Sequence, residues 1–314
     1  MDPANGSMVD HFVVNGFSDS AELQVPIFIL VLLIYFITVS SNLTILVLIC
    51  HDSYLHTPMY FFLANLSIVD MSCSTVSLHR ILLNFLTGKK VVSYIGCMIQ
   101  MYFYAGFTGE GQTLLGAMSY DRYVAICNPL RYHMVMSDGV CGLLAVTCCL
   151  MSFVEVLPPV VFMTRFTCYT SNELNHFFCD IVPLMKITCN DVAVLKIMIY
   201  TIGLIFLNII PFILTFTPYI FIVFTILRIQ STTGRQKAFY TCSSHLTVVA
   251  LLYVTLFCQY FRPQSASNFD STKLFSLLNT AIVPMLNPLI YSLNNKDVKS
   301  ALKRNCMCWR YHQP

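Results

Sequence analysis

The stretch "FILVLLIYFI", residues 28–37, decides the fold. It is an unbroken apolar run without the in-out alternation of a barrel strand, whose lipid-facing and lumen-facing positions take turns. In hydrocarbon every backbone N–H and C=O must be paired inside the protein, so a spanning segment is a helix or part of a closed barrel. The run therefore reads as helix. Working outward from it, seven such stretches lie near 25–50, 58–82, 97–122, 140–162, 196–227, 239–261 and 272–292. Each is close to the roughly 20 residues that a hydrocarbon core about 30 Å thick requires. The prediction is an all-α membrane protein, a seven-transmembrane helix bundle. Residues 1–24 form a flexible polar leader and 293–314 a tail, with connectors short except between Arg165 and Lys196. The first run follows a long polar leader and reads as a signal anchor, not a cleaved signal peptide.

Composition agrees. The chain is 56% hydrophobic and 11% charged, with mean hydropathy +0.69; soluble domains carry about 25% charged residues. A net charge of +3 offers no footing for nucleic acid. A transporter should show paired halves with broken helices, and no internal repeat is found. An enzyme would need a convergent catalytic set; adjacent Ser244 and His245 point apart on one helix.

An odd number of spans puts the two ends on opposite sides. The leader has no Lys or Arg, while the tail carries Lys296, Lys299, Lys303, Arg304 and Arg310, which favours an outside N-terminus. Lys89 and Lys90 pull the other way. Asn5-Gly6-Ser7 is a glycosylation sequon in the leader and agrees with that orientation; those at Asn42 and Asn65 fall within spans and should be inert.

Of fourteen cysteines, Cys97, Cys168, Cys179 and Cys189 lie on one face in polar sequence. Such an even set suits disulfides in an oxidising compartment, and four cysteines allow three pairings. A zinc site with His176 is the rival, unsupported by any tight CxxC spacing.

Five blocks carry a resemblance: "PMYFFLANLS" from Pro58, "MSYDRYVAIC" from Met118, "NHFFCD" from Asn175, "KAFYTCSSHL" from Lys237 and "PMLNPLIYSL" from Pro284. In order and spacing they are similar to the signature blocks of vertebrate olfactory receptors, which are rhodopsin-like G-protein-coupled receptors. "YFRPQS" from Tyr260 resembles the tetrapod-type group. The resemblance implies a plasma-membrane receptor of olfactory neuron cilia that binds a small odorant and activates a stimulatory olfactory-type G protein, raising cAMP, with no cofactor. A chemoreceptor of the same fold for a nonvolatile metabolite, expressed elsewhere, is the alternative.

By that resemblance Asp121, Arg122 and Tyr123 form the switch at the inner end of the third helix, with Arg122 held inward at rest and released to the G protein. A charge pair that merely sets membrane depth is the plainer reading of the residues. The resemblance adds Tyr219, Lys237, His245, Asn287, Pro288 and Tyr291 to the switch, His245 as a restraint near Arg122 and Tyr291 swinging inward. It pairs Cys97 with Cys179 and Cys168 with Cys189. Asp70, an intramembrane carboxylate and functional by default, would line a hydrated sodium pocket with Asn42 and Asn287. The family's glutamate falls one position after Glu110, where this chain has Gly111; one residue turns a helix face by about 100°. By family position the ligand set is Tyr104, Ala105, Thr108, Gly109, Gly203, Leu207, Asn208, Tyr253, Phe257, Tyr260 and Thr280. Tyr104 stands where amine receptors carry an acid, so a neutral volatile is expected. After Asn294, Val298, Ala301 and Leu302 can face lipid while Lys299, Lys303 and Arg304 stay polar, a short amphipathic eighth helix. Cys306 and Cys308 beyond it are candidates for palmitoylation.

Overall fold

The computed structural model describes residues 9–17, 21–260 and 269–311. Seven long helices form the bundle: α1 (Ala21–His51), α2 (Pro58–Thr87), α3 (Tyr94–Cys127), α4 (Asp138–Met163), α5 (Ala193–Arg228), α6 (Thr232–Tyr260) and α7 (269–294). An eighth, α8 (Lys296–Tyr311), follows α7 at once. Local chemistry sets their ends. Pro58 opens α2, where its missing N–H costs nothing. Gly88 closes it at φ +68°, with its N–H bonded to Asn84 O at 3.0 Å, a left-handed cap that favours glycine. The Ser93 hydroxyl accepts Gly96 N at 3.1 Å and starts α3.

The helices overrun their apolar stretches. α3 continues five residues past Arg122 to Cys127, because hydropathy marks the thickness of lipid while helical hydrogen bonding carries on into the polar boundary. Among the described residues five helices are long and apolar enough to cross a membrane by themselves; the apolar part of α6 is the shorter Cys242–Cys258.

Two helices loosen into wide i→i+5 turns, at Ile199–Ile209 in α5 and Leu278–Ile282 in α7. Both stretches end two residues before a proline, Pro211 and Pro284. A proline lacks an N–H and crowds the preceding turn, which a wider turn relieves. The irregularity of α7 therefore lies ahead of Pro284, and the helix runs through Pro288 to Asn294.

Burial is sorted as lipid demands. Large apolar side chains cover the outside, Phe36 at 68% exposure with Leu143 and Leu227. Inside lie Asn42, Asp70, Ser74, Ser77, Gln112 and Asn287, all buried. Polar groups turn inward because only the bundle interior supplies them with partners.

At one end a small sheet closes the bundle. Strand β1 (His11–Val14) lies between β2 (Val91–Ser93), antiparallel with Phe12 opposite Val92, and β3 (Glu173–Leu174), parallel with Val14 opposite Leu174. The leader expected to be flexible is thus tied down over residues 11–14, with Phe12 and Val14 wholly buried. Alternating apolar residues in "HFVV" carry this; the partners that make it a strand are about 80 and 160 residues away.

Candidate functional site

The mouth at the sheet end is stapled. Cys97 at the start of α3 is bonded to Cys179, and Cys168 to Cys189. The second bond closes a hairpin whose backbone also pairs, Thr170 N to Ile187 O at 2.8 Å and Cys189 N to Cys168 O at 3.1 Å. Gln100 extends the staple: its Nε2 donates to Val76 O at 2.7 Å and its Oε1 accepts Cys179 N at 3.2 Å. Phe17, Phe177 and His176 stack in sequence, at 4.5 and 4.7 Å between ring centroids, beneath the strand. Burial holds the His176 imidazole neutral, pushed down to about 3. With all four loop thiols in disulfides and no cluster of three His, Cys, Asp or Glu among the described residues, the zinc alternative has no ligands. Phe178 then reaches the ring of Tyr104 edge-on at 4.6 Å.

Below this lid the eleven nominated ligand residues fall into separate places. Thr108 donates to Tyr104 O at 2.8 Å and lies 3.9 Å from Cys73 Sγ, on the face of α3 toward α2. Ala105 packs in a different apolar cluster with Leu207. A Cβ on Gly109 would come within 2.9 Å of Leu207 Cδ2 and 3.3 Å of Ser152 Cβ; the glycine lets α3 close on α4 and α5. Asn208 donates to Gly203 O within the wide turns of α5. Tyr253 packs edge-on against Phe212 at 5.1 Å. Its hydroxyl is buried against Thr215, and that of Thr280 is buried without a hydrogen-bond partner among the described residues. Phe257 is 61% exposed. The Tyr260 side chain lies outside the described residues, as do the side chains of Lys237, Cys306 and Cys308, and Asn5.

In the middle of the bundle Asn287 Nδ2 donates to Asp70 Oδ2 at 2.9 Å. Asn42 Nδ2 donates to Thr38 O at 3.0 Å and Pro284 O at 3.1 Å, tying α1 to α7. Gly111 faces Leu66 and Val69 of α2, while Glu110 turns to Cys149 on α4. Asp70 is thus without a second acid, and Asn42 spends its amide on carbonyls. Asn287 Oδ1 is buried without a hydrogen-bond partner among the described residues, so an uncommitted oxygen stands near Asp70.

At the opposite end Asp121 is fully buried. Tyr132, on the short helix Tyr132–Val135 after α3, donates its hydroxyl to Asp121 Oδ1 at 2.7 Å, while Arg122 Nε stands 3.4 Å from Oδ2. Sequence reading missed Tyr132; α3 ends at Cys127 and the chain turns before Tyr132, so the approach to Asp121 is made by that turn and not by one helix face. His245 bonds through Nδ1 to the Tyr219 hydroxyl, joining α6 to α5, so its direct partner is Tyr219. Arg122 is close enough that its charge acts on Tyr219, Cys242, His245 and Tyr291. The Tyr291 hydroxyl is buried without a hydrogen-bond partner among the described residues. Tyr123 packs beside this group, 5.9 Å from the Phe221 ring. Next to it Leu130 is 99% exposed and Met134 is also bare.

A stapled mouth, a polar midline and an acid–arginine pair at the opposite end define the bundle, and it can be set beside known proteins. Squid rhodopsin superposes with TM-score 0.71 at 17% identity, covering 90% of this chain and 80% of rhodopsin, which establishes the fold. Human olfactory receptor 8D1 is 42% identical over 96% of this chain and 97% of its own length. Mouse olfactory receptor 8G50 is 43% identical over 98% and 99%. The olfactory receptor family profile matches residues 31–308, and the chain belongs to that family of multi-pass plasma-membrane receptors.

Proposed function

We propose that this receptor takes a small, neutral, volatile odorant into the bundle from the stapled end, which faces outside, and activates a stimulatory olfactory-type G protein at the Arg122 end, raising cAMP. The observation that carries the reading is the placement of Arg122. It sits between a buried carboxylate held by Tyr132 and a Tyr219–His245 bond that links α5 to α6. The α5–α6 pair is joined there by one polar contact beside a small apolar cluster, and a switching receptor would need two arrangements of it. A ligand shifts the balance only as far as it prefers one of them.

Opening α6 would remove His245 from Tyr219 and clear space beside Arg122, whose guanidinium then reaches the G protein. Tyr291, buried and unbonded, would swing in to take the vacated hydroxyl. Exposed Leu130 and Met134 mark the docking rim, as bare apolar side chains on a polar face do. On the ligand side Thr280 has a hydroxyl to spare for an oxygen-bearing odorant, and Tyr253 would turn its own to it. Tyr104 and Thr108 form the wall toward α2, and Ala105, Gly109, Gly203, Leu207, Asn208, Phe257 and Tyr260 set shape. No acid stands at Tyr104, which disfavours amines. Lys237 at the inner end of α6 would meet the G protein, and Asn5 would carry glycan. The tail helix α8 would lie in the membrane interface with Val298 and Ala301 inward.

The test is nucleotide exchange on a stimulatory olfactory-type G protein by purified receptor challenged with odorant mixtures, with Arg122→Ala beside it. Exchange that collapses in the variant supports the reading; equal exchange in both overturns the switch.

A further inference from the structure

Asp52 sits in the turn between α1 and α2 and is buried. Its partner is 252 positions away: Arg304 of α8 donates Nε at 3.0 Å and Nη2 at 2.7 Å to Asp52 Oδ2. The other carboxylate oxygen, Oδ1, accepts Tyr54 N at 3.1 Å and caps the single turn Ser53–Leu55. The Arg304 guanidinium also lies 4.7 Å from the centre of the Tyr54 ring. One loop therefore meets one arginine by a two-point fork and by an aromatic face, the geometry for which arginine and lysine are not interchangeable.

The near end of α8 is held separately. Asn295 Oδ1 accepts Asp297 N at 2.9 Å, Asn295 Nδ2 donates to the Tyr60 hydroxyl at 2.9 Å, and that hydroxyl donates to Asp297 Oδ2 at 3.2 Å. Between the two anchors Val298 and Ala301, three residues apart on one face, are buried in the same cluster as Leu55, Leu48 and Ile49. Asn295 N still bonds to Tyr291 O at 3.2 Å, so α7 runs into α8 without a linker. Any movement of the inner end of α7 must either drag α8 along or bend against it.

We infer that the Asp52–Arg304–Tyr54 clasp positions α8 for G-protein coupling, pinning it to the α1–α2 turn so that Tyr291 and the end of α7 move against a fixed partner surface. The clasp holds the helix at its middle, about two turns beyond the Tyr60 anchor. The residues are positioning residues: none touches the ligand or the Asp121–Arg122 pair. The inference rests on the coupling reading above.

The experiment uses the full-length receptor in phosphatidylcholine nanodiscs, with two readouts. One is amide hydrogen exchange across 299–305; the other is the Kd for a nucleotide-free stimulatory G protein. In Arg304→Gln, exchange at 299–305 should rise at least fivefold and Kd should weaken at least fivefold, with protection of α2 unchanged as proof of folding. Asp52→Asn keeps an oxygen to cap Tyr54 N and should match it. The double variant should lose no more than either single one, since both remove the same contact. Arg304→Lys should fall between. Wild-type protection of 299–305 in Arg304→Gln, or a loosened α8 with unchanged Kd, overturns the inference. If wild type itself fails to bind the G protein, the coupling reading fails with it. Amide exchange then still reports whether the clasp holds α8.

Discussion

The two ends of the bundle are built on opposite principles. At the mouth, α3, the long loop and the leader are joined by two disulfides, a three-stranded sheet and a run of stacked rings around Phe177. At the other end the ties among the described residues are noncovalent: Tyr132 to Asp121, Tyr219 to His245, and the two-point fork of Arg304 on Asp52. A covalent, apolar end keeps its shape whatever is bound. An end held by a few exchangeable hydrogen bonds, each worth about 1 kcal/mol net, can change state for the energy a small ligand supplies. On the proposed function, the rigid end would recognise the ligand and the softer end would respond.

The largest effects should come from breaking the rigid end. Cys97→Ser removes the tie between α3 and the loop and should abolish surface expression, read by flow cytometry on an extracellular tag; a normal ligand response in this variant would contradict it. Next comes Arg122→Ala, which should cut nucleotide exchange at least tenfold while leaving surface expression intact. A smaller change should follow Tyr132→Phe, which takes the one hydroxyl off Asp121; losing about 1 kcal/mol of restraint corresponds to a roughly fivefold shift in the resting balance, visible as raised basal exchange.

The smallest expected effect is in pH. His176 stays neutral in the folded mouth down to about 3, against an ordinary 6.5, so below about 6.5 the unfolded chain takes up a proton that the folded one refuses. Stability should fall as pH drops through that window, read as a lower Tm at pH 5 than at pH 7. His176→Gln should flatten the slope, and an unchanged slope would remove His176 from the account. Asp52 behaves oppositely in origin but alike in direction. Arg304 holds its carboxyl below the ordinary 3.8, so its contribution is complete above that value and is lost as pH falls further.

What the sequence determined by itself follows from local physics and a shared pattern. Apolar runs such as 28–37 and 140–162 declare helices in lipid because length and hydropathy are properties of contiguous residues. The five signature blocks identified the family, and Asp121 and Arg122 stand inside one of them. What only the tertiary structure decided are partnerships between residues distant in the chain. No periodicity links His11 to Ser93 or Asp52 to Arg304, and Tyr132 reaches Asp121 only because the chain turns back after Cys127. Each partner is an ordinary polar or apolar residue until folding brings the other to it. The one-residue difference between Glu110 and Gly111 shows the same division: the sequence states which residue is present, but the rotation of α3 decides that the acid faces Cys149 and the glycine faces α2. Helix geometry turns one step in sequence into about 100° in space, and packing alone sets where that rotation begins.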